Sequence, residues 1–257
     1  MAAKLTVSVN AQHRGYIALN TSTDVRSSIE RAKKPNHSES FMVMREDAAN
    51  SPAVLNSEYL AGPNQWPELP GFRDVIEASD AAFQQLANRL LDIAWSAINV
   101  DATEMSGHFS PPTTWLRLLH YPQRTGQADG SVFGSAPHTD FGCLTILAQD
   151  STGGLQVRDQ SGQWLDVVPD PGALIVNVGD MLQRWSNGIY RSTPHRVVGR
   201  SAERYSCAYF YDPHVSCTVA PLAACVSHES APKYEPIVFG EFLREQLSAS
   251  YDHHKEP

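Results

Sequence analysis

Between Trp115 and Asp212 the sequence never holds one apolar run for long, and this limits the folds open to it. Short runs at Trp115–Tyr121, His138–Ala148, Leu155–Arg158, Trp164–Val168, Ala173–Val178, Arg196–Val198 and Arg204–Asp212 are separated by frequent turn residues. Asp159-Gln160-Ser161-Gly162 reads as a hairpin turn, and Pro169-Asp170-Pro171-Gly172 as a second turn. Many short strands with closely spaced turns predict a mainly β fold, a sandwich or barrel of jelly-roll type.

Helices are expected to brace the outside of that core. Val75, Ala78, Ala82, Leu86, Leu90, Ile93 and Ala97 recur at steps of three and four, and Ile76 and Phe83 widen the stripe. That pattern predicts a long scaffold helix over residues 72–98. Phe239, Phe242, Leu243 and Leu247 predict a short amphipathic helix near the end. Residues 1–70 are irregular and polar, with prolines and asparagines gathered at Ala49–Pro70, and read as a loose lobe or surface wrap. The expected organisation is a partial N-terminal region at 1–105, carrying the long helix, and a jelly-roll region at 106–257. The two are expected to make one structural unit.

The 257 residues are 42% hydrophobic and 19% charged, the balance of an ordinary globular protein with ample length for a core. A formal net charge of -8, with no Lys/Arg-rich run, argues against nonspecific nucleic-acid binding. No apolar run reaches the roughly 20 residues that cross a bilayer. The opening Met-Ala-Ala-Lys-Leu-Thr-Val-Ser-Val lacks a signal-peptide core, so a cytoplasmic location and no membrane partner are expected. Cys143, Cys207, Cys217 and Cys225 form no CxxC pair and read as buried free thiols.

Some strand-like runs open on polar residues. In Pro137-His138-Thr139-Asp140, strand alternation would aim His138 and Asp140 at one face. Alone, such a pair is more often a core histidine beside a capping aspartate. Thr193-Pro194-His195-Arg196-Val197-Val198 adds a histidine at the head of a later strand, which a rolled sheet can make a neighbour. Two imidazoles and a carboxylate around one metal, with its other positions open, form the facial triad of non-haem Fe(II) oxygenases. Arg204-Tyr205-Ser206 then places a guanidinium and a hydroxyl on one strand face. That pair can grip a carboxylate through parallel hydrogen bonds. An exposed arginine with an ordinary salt-bridge partner is the plainer alternative.

In this order and spacing, His138-Thr139-Asp140, His195-Arg196-Val197 and Arg204-Tyr205-Ser206 resemble the Fe(II)/2-oxoglutarate-dependent dioxygenases, most closely the isopenicillin N synthase-like branch. Gly153-Gly154-Leu155-Gln156-Val157 with Trp164, Asn177-Val178-Gly179-Asp180, Trp185-Ser186-Asn187-Gly188 and Tyr209-Phe210-Tyr211-Asp212-Pro213 match further phrases of that branch. The resemblance implies a double-stranded β-helix (jelly roll) with flanking helices. It implies an enzyme that oxidises a small organic molecule, most often by hydroxylation, consuming dioxygen and 2-oxoglutarate and releasing succinate and carbon dioxide. His138, Asp140 and His195 would be the catalytic Fe(II) ligands, with ascorbate as a supporting reductant. Arg204, Ser206 and Tyr121 would bind 2-oxoglutarate, and Phe210 would pack on the substrate or be a plain core aromatic.

The resemblance is incomplete. Leu119 replaces the asparagine of the family's Asn-Tyr-Tyr-Pro phrase, so one cosubstrate contact falls to His120 or a water. The branch's opening strands are not legible in residues 1–70; either the start is internal or the chain is a shortened member, and the missing strands are expected to leave a strand edge exposed. Substrate contacts are expected from Pro111–Thr114, Arg124–Phe133, His214–Pro221 and the N-terminal segment. His108, His228, His253 and His254 read as surface histidines. Three rivals stand beside the main reading: oxidation without 2-oxoglutarate, a binding protein disabled by shortening, and a zinc hydrolase or lyase. The last has no need of the Arg204/Ser206 clamp.

Overall fold

The turn-rich half of the chain builds two β-sheets whose side chains line a common cavity. The computed structural model describes residues 2–23, 29, 34–123, 132–199 and 201–250. In chain order the elements are α1 (Ala2–Leu5), β1 (Gly15–Ile17), β2 (Glu39–Met44), α2 (Pro52–Leu55), α3 (Phe72–Ala97), α4 (Ala102–Ser106), β3 (Thr113–Tyr121), β4 (Phe133–His138), β5 (Leu144–Gln149), β6 (Leu155–Arg158), β7 (Trp164–Asp166), β8 (Ile175–Val178), α5 (Asp180–Trp185), β9 (His195–Val198), β10 (Arg204–Asp212), β11 (Thr218–Val219), β12 (Ile237–Val238) and α6 (Phe239–Ser250). The larger sheet has the order β1-β2-β3-β10-β5-β8 and the smaller β4-β9-β6-β7, the jelly-roll core expected from the turn pattern. No helix among the described residues is long and apolar enough to cross a membrane.

Strand β10 organises the larger sheet. It pairs with β3 from Arg204↔Tyr121 to Asp212↔Thr113 and with β5 from Ser206↔Gln149 to Tyr211↔Leu144. Alternation gives it two different faces. Tyr209 and Tyr211 face α3, where Tyr209 stacks on Phe83 at 5.3 Å and Tyr211 Oη donates to Asn88 Oδ1 at 2.7 Å. Phe210 and Asp212 of the opposite face line the cavity, while Arg204 and Ser206 begin that same row.

Helix α3 forms as expected, but its buried stripe is rotated from the predicted one. Ile76, Ala87, Leu91 and Trp95 are buried, whereas Val75 and Ile93 are 65% and 67% exposed. Ala78, Ala82 and Ala97 also face outward. The bulkiest side chains set the rotation. Trp95, which the predicted stripe omitted, packs edge-on against Trp185 at 5.7 Å, and this buries far more apolar area than an alanine could.

Residues 1–70 are not a loose wrap. Strand β2 pairs with β3 from Glu39↔His120 to Met44↔Trp115, and β1 pairs outside it, so the edge expected to be exposed is covered. The Arg14 guanidinium is buried and donates to the carbonyls of Gln12, Leu60 and Arg45, tying three separate stretches together. The Phe41-Met42-Val43-Met44 run lacks alternation, so only its long-range partner makes it legible as a strand.

The predicted strand His138–Ala148 is in fact two strands in different sheets. Strand β4 ends at His138, β5 begins at Leu144, and residues 139–143 cross between the sheets. His138 and Asp140 therefore do not share a strand face. Helix α6 buries Phe239, Leu243 and Leu247, with Phe242 half-buried. All four cysteines are free thiols; Cys207 alone is only half-buried. His108, expected at the surface, is half-buried beside Trp185 with its Nδ1 3.2 Å from Cys217 Sγ. His228 is exposed. His253 and His254 lie outside the described residues.

Candidate metal centre and cosubstrate site

The register of the smaller sheet brings the two histidines together. His138, the last residue of β4, lies directly opposite His195, the first of β9, and their ring centroids are 4.3 Å apart. Asp140 reaches the same point from the crossing: its Oδ1 is 3.6 Å from His195 Nε2 and 4.0 Å from His138 Nε2. One ligand atom from each residue falls within 4.8 Å of the others.

The imidazoles are oriented by their backbone. His138 Nδ1 lies 2.7 Å from the Ala136 carbonyl and His195 Nδ1 3.0 Å from that of Thr193. A carbonyl only accepts, so each Nδ1 carries a proton, and the neutral form of each ring would turn its Nε2 lone pair to the centre. Asp140 is 5% exposed, and its Oδ2 is buried with no hydrogen-bond partner among the described residues. An orphaned carboxylate oxygen beside two aimed lone pairs fits a divalent cation. The N,N,O donor set fits ferrous iron.

The crossing that carries Asp140 is held from two sides. A Cβ on Gly142 would overlap the Asp212 carboxylate, and one on Gly179 would run into the Gly142 carbonyl oxygen. The space at Gly142 lets Asp212 Oδ1 accept from Cys143 N at 2.7 Å while Oδ2 accepts from Trp115 Nε1 at 3.0 Å. On the other side, Asp180 N donates to the Asp140 carbonyl at 2.9 Å. Burial pushes the Asp212 carboxyl up to about 7, with the Asp140 charge adding and the bonds from Cys143 and Trp115 opposing. Burial, aided by Asp140, also raises Asp180. Neither Asp212 nor Asp180 was given a role by the sequence reading, although the phrases Tyr209-Phe210-Tyr211-Asp212-Pro213 and Asn177-Val178-Gly179-Asp180 contain them.

The second cluster lies on the interior row of β10. Arg204 is 2% exposed, donates from Nη1 to Ser206 Oγ at 3.1 Å and from Nη2 to Gln149 Oε1 at 3.0 Å, and packs 4.8 Å over the Tyr121 ring. Its Nε is buried without a partner, and no carboxylate among the described residues pairs with it. A buried guanidinium facing neutral groups is costly unless an anion joins it, so the cluster fits a carboxylate ligand. Gln149 went unread because it only closes an apolar run; its register opposite Ser206 puts it at the site. His120 does not replace the absent asparagine. It lies on the other face, stacked on Tyr205 at 4.8 Å and bonded to Glu39 at 2.8 Å.

Phe210 contacts Trp115 at 6.1 Å between centroids, and both line a cavity of about 80 Å³ with His138 and Asp140. Asn36 and Met42 from the N-terminal segment and Leu247 from α6 complete its wall. Pro111–Thr114 and His214–Pro221, expected to touch substrate, do not line it. Within Arg124–Phe133, residues 124–131 lie outside the described residues.

A model of the 2OG-Fe(II) oxygenase superfamily matches residues 112–213. A 2-oxoglutarate-Fe(II) type oxidoreductase of Emericella nidulans is 35% identical over 254 residues, covering 95% of this chain and 70% of its own length. This chain belongs to the 2OG-Fe(II) oxygenase superfamily. A homoarginine-6-hydroxylase of Oryza sativa is 34% identical over 199 residues, covering 75% of this superfamily member and 61% of itself. The crystal structure of a full-length Neurospora crassa protein in complex with alpha-KG and thymine superimposes with a TM-score of 0.82 at 31% identity, covering 96% of this chain and 78% of that one. The chain thus spans 61% to 70% of the length of these two curated relatives. The superfamily match encloses the triad, Tyr121, Arg204, Ser206 and Phe210.

Proposed function

We propose that this superfamily member oxidises a small organic molecule, most often by hydroxylation, in a reaction that needs Fe(II) and 2-oxoglutarate. The observation that carries the reading is the pairing of two sites. A three-donor cluster with both imidazole tautomers fixed stands in the same barrel as a buried arginine that lacks an anion. His138, Asp140 and His195 would hold the metal. Arg204, braced by Ser206 and Gln149 over the Tyr121 ring, would hold the far carboxylate of 2-oxoglutarate. Iron and cosubstrate, when bound, supply the oxidising power: one oxygen atom of dioxygen ends in succinate, the other in the product, and carbon dioxide leaves. The protein's part is to fix the donors, balance charge with Asp140, and present an aromatic wall at Trp115 and Phe210 that limits water. The Arg204 cluster disfavours the zinc-hydrolase rival, which has no anion to place there.

The test is succinate formation by anaerobically purified protein given Fe(II), ascorbate, dioxygen and 2-oxoglutarate. Wild type should form succinate, and His138→Ala and Arg204→Ala should fall to background while staying folded. Folded, iron-loaded wild type that fails to bind 2-oxoglutarate would end the proposal.

A further inference from the structure

The smaller sheet sets His138 opposite His195 only by breaking its own register. From Ser135↔Val197 to His138↔His195, β4 advances three residues while β9 advances two, so β4 carries a bulge at Ala136 and Pro137. Strand β4 is the outermost strand of that sheet. The Ala136 N–H falls in the bulge, outside the register with β9. Ala136 is 1% exposed, and a buried N–H needs an acceptor. Asn36 supplies one: its Oδ1 accepts from Ala136 N at 2.9 Å. Ala136 N can only donate, so the amide oxygen faces it and Nδ2 turns to Ser22 Oγ at 3.5 Å. Asn36 is itself buried and held in place. Its N donates to the Ser22 carbonyl at 2.8 Å, and the next residue, His37, donates to the Phe133 carbonyl of β4 at 2.8 Å.

The residue that Asn36 holds also orients a metal ligand, since the Ala136 carbonyl is the one 2.7 Å from His138 Nδ1. That carbonyl lies between two restraints. The Asn36 bond fixes Ala136 on one side, and the ring of Pro137 fixes φ on the other. We propose that Asn36 is a positioning residue for His138: by holding Ala136 in the bulge it fixes the carbonyl that sets the aim of the imidazole. This rests on the metal reading of the triad and deepens it. His195 takes its orientation from a different stretch, through the Thr193 carbonyl at 3.0 Å. The effect of Asn36 should therefore fall on one histidine of the pair.

The test is nuclear magnetic resonance of metal-free protein carrying isotopically labelled histidine, beside an anaerobic Fe(II) titration. The Nδ1–H resonances of His138 and His195 are assigned with His138→Gln and His195→Gln. Asn36→Leu keeps the shape of the side chain and removes the acceptor. In it the His138 resonance should shift or be lost to solvent exchange, while that of His195 stays. Fe(II) binding should weaken about tenfold, the low end for groups that orient a metal's ligands. Asn36→Asp keeps an accepting oxygen and should leave the His138 resonance as in wild type. An unchanged His138 resonance or an unchanged Fe(II) affinity in folded Asn36→Leu would overturn the assignment. So would equal displacement of both histidine resonances, the mark of a general disturbance, or a displaced His138 resonance in Asn36→Asp. Should Asn36→Leu not fold, the aspartate variant decides alone. Wild type that binds no Fe(II) strikes the metal reading, whereas wild type and Asn36→Leu that bind it equally strike only Asn36.

Discussion

Gly142 fits closely against Asp212, and the fit makes a quantitative prediction. A methyl group at Gly142 would overlap all three atoms of the Asp212 carboxylate. Relief requires the carboxylate to leave, which strands Cys143 N and Trp115 Nε1 in a buried place. Each abandoned donor costs about 1–3 kcal/mol, and residual overpacking adds about 1–3 kcal/mol. Gly142→Ala should therefore destabilise the fold by about 3–9 kcal/mol. In an Asp212→Ala background the obstruction and both bonds are already gone. Gly142 does not lie in the left-handed region, so alanine there should then cost less than about 1 kcal/mol. The double-mutant cycle should report a coupling of at least about 2 kcal/mol. Urea unfolding of the metal-free protein measures it. If Gly142→Ala costs the same in both backgrounds, the steric account is wrong and the glycine serves some other end. Because the same crossing carries Asp140, Gly142→Ala should also weaken Fe(II) binding, which a metal titration of the folded fraction reads directly.

Three further outcomes follow from other parts of the structure. Gln149→Leu removes the acceptor bracing Arg204 Nη2; the 2-oxoglutarate dissociation constant should rise about fivefold or more, and an unchanged value would remove Gln149 from the site. Burial, with Glu77 adding, pushes the Asp80 carboxyl up to about 6. The folded state thus keeps this proton to higher pH than the unfolded chain, so its contribution is present below about pH 4 and is lost as pH rises toward 6. Asp80→Asn should accordingly gain stability over wild type at pH 7 but not at pH 4, and equal gains at both would refute the shift. Trp95→Ala, which empties a site 2% exposed against Trp185, should cost about 3–5 kcal/mol by chemical denaturation; a loss below about 1 kcal/mol would mean that this end of α3 is not anchored as described.

Local signals in the sequence settle a good deal here. Turn residues placed the hairpin of β6 and β7 around Asp159–Gly162, and spacing placed α3 and α6. The identities of His138, Asp140, His195, Arg204 and Ser206 carried the chemistry, because few residue types bind a metal or grip a carboxylate. Arg204 and Ser206 shared a face as alternation required, since both sit in one uninterrupted strand. What failed was whatever depended on a distant partner. Alternation misplaced Asp140, because the chain leaves one sheet for the other immediately after His138, and only packing against Asp212, Gly179 and Asp180 holds that crossing. The stripe of α3 was misjudged because the bulk of Trp95 and its fit against Trp185 outweigh the tally of small apolar positions. Strand β2 was invisible because its run has no alternation of its own and becomes a strand by pairing with β3. Gln149 gained its place in the same way, through register with Ser206 far off in the chain. Sequence determines which groups can do chemistry and where the backbone must turn; cross-strand register and close packing decide which of those groups meet.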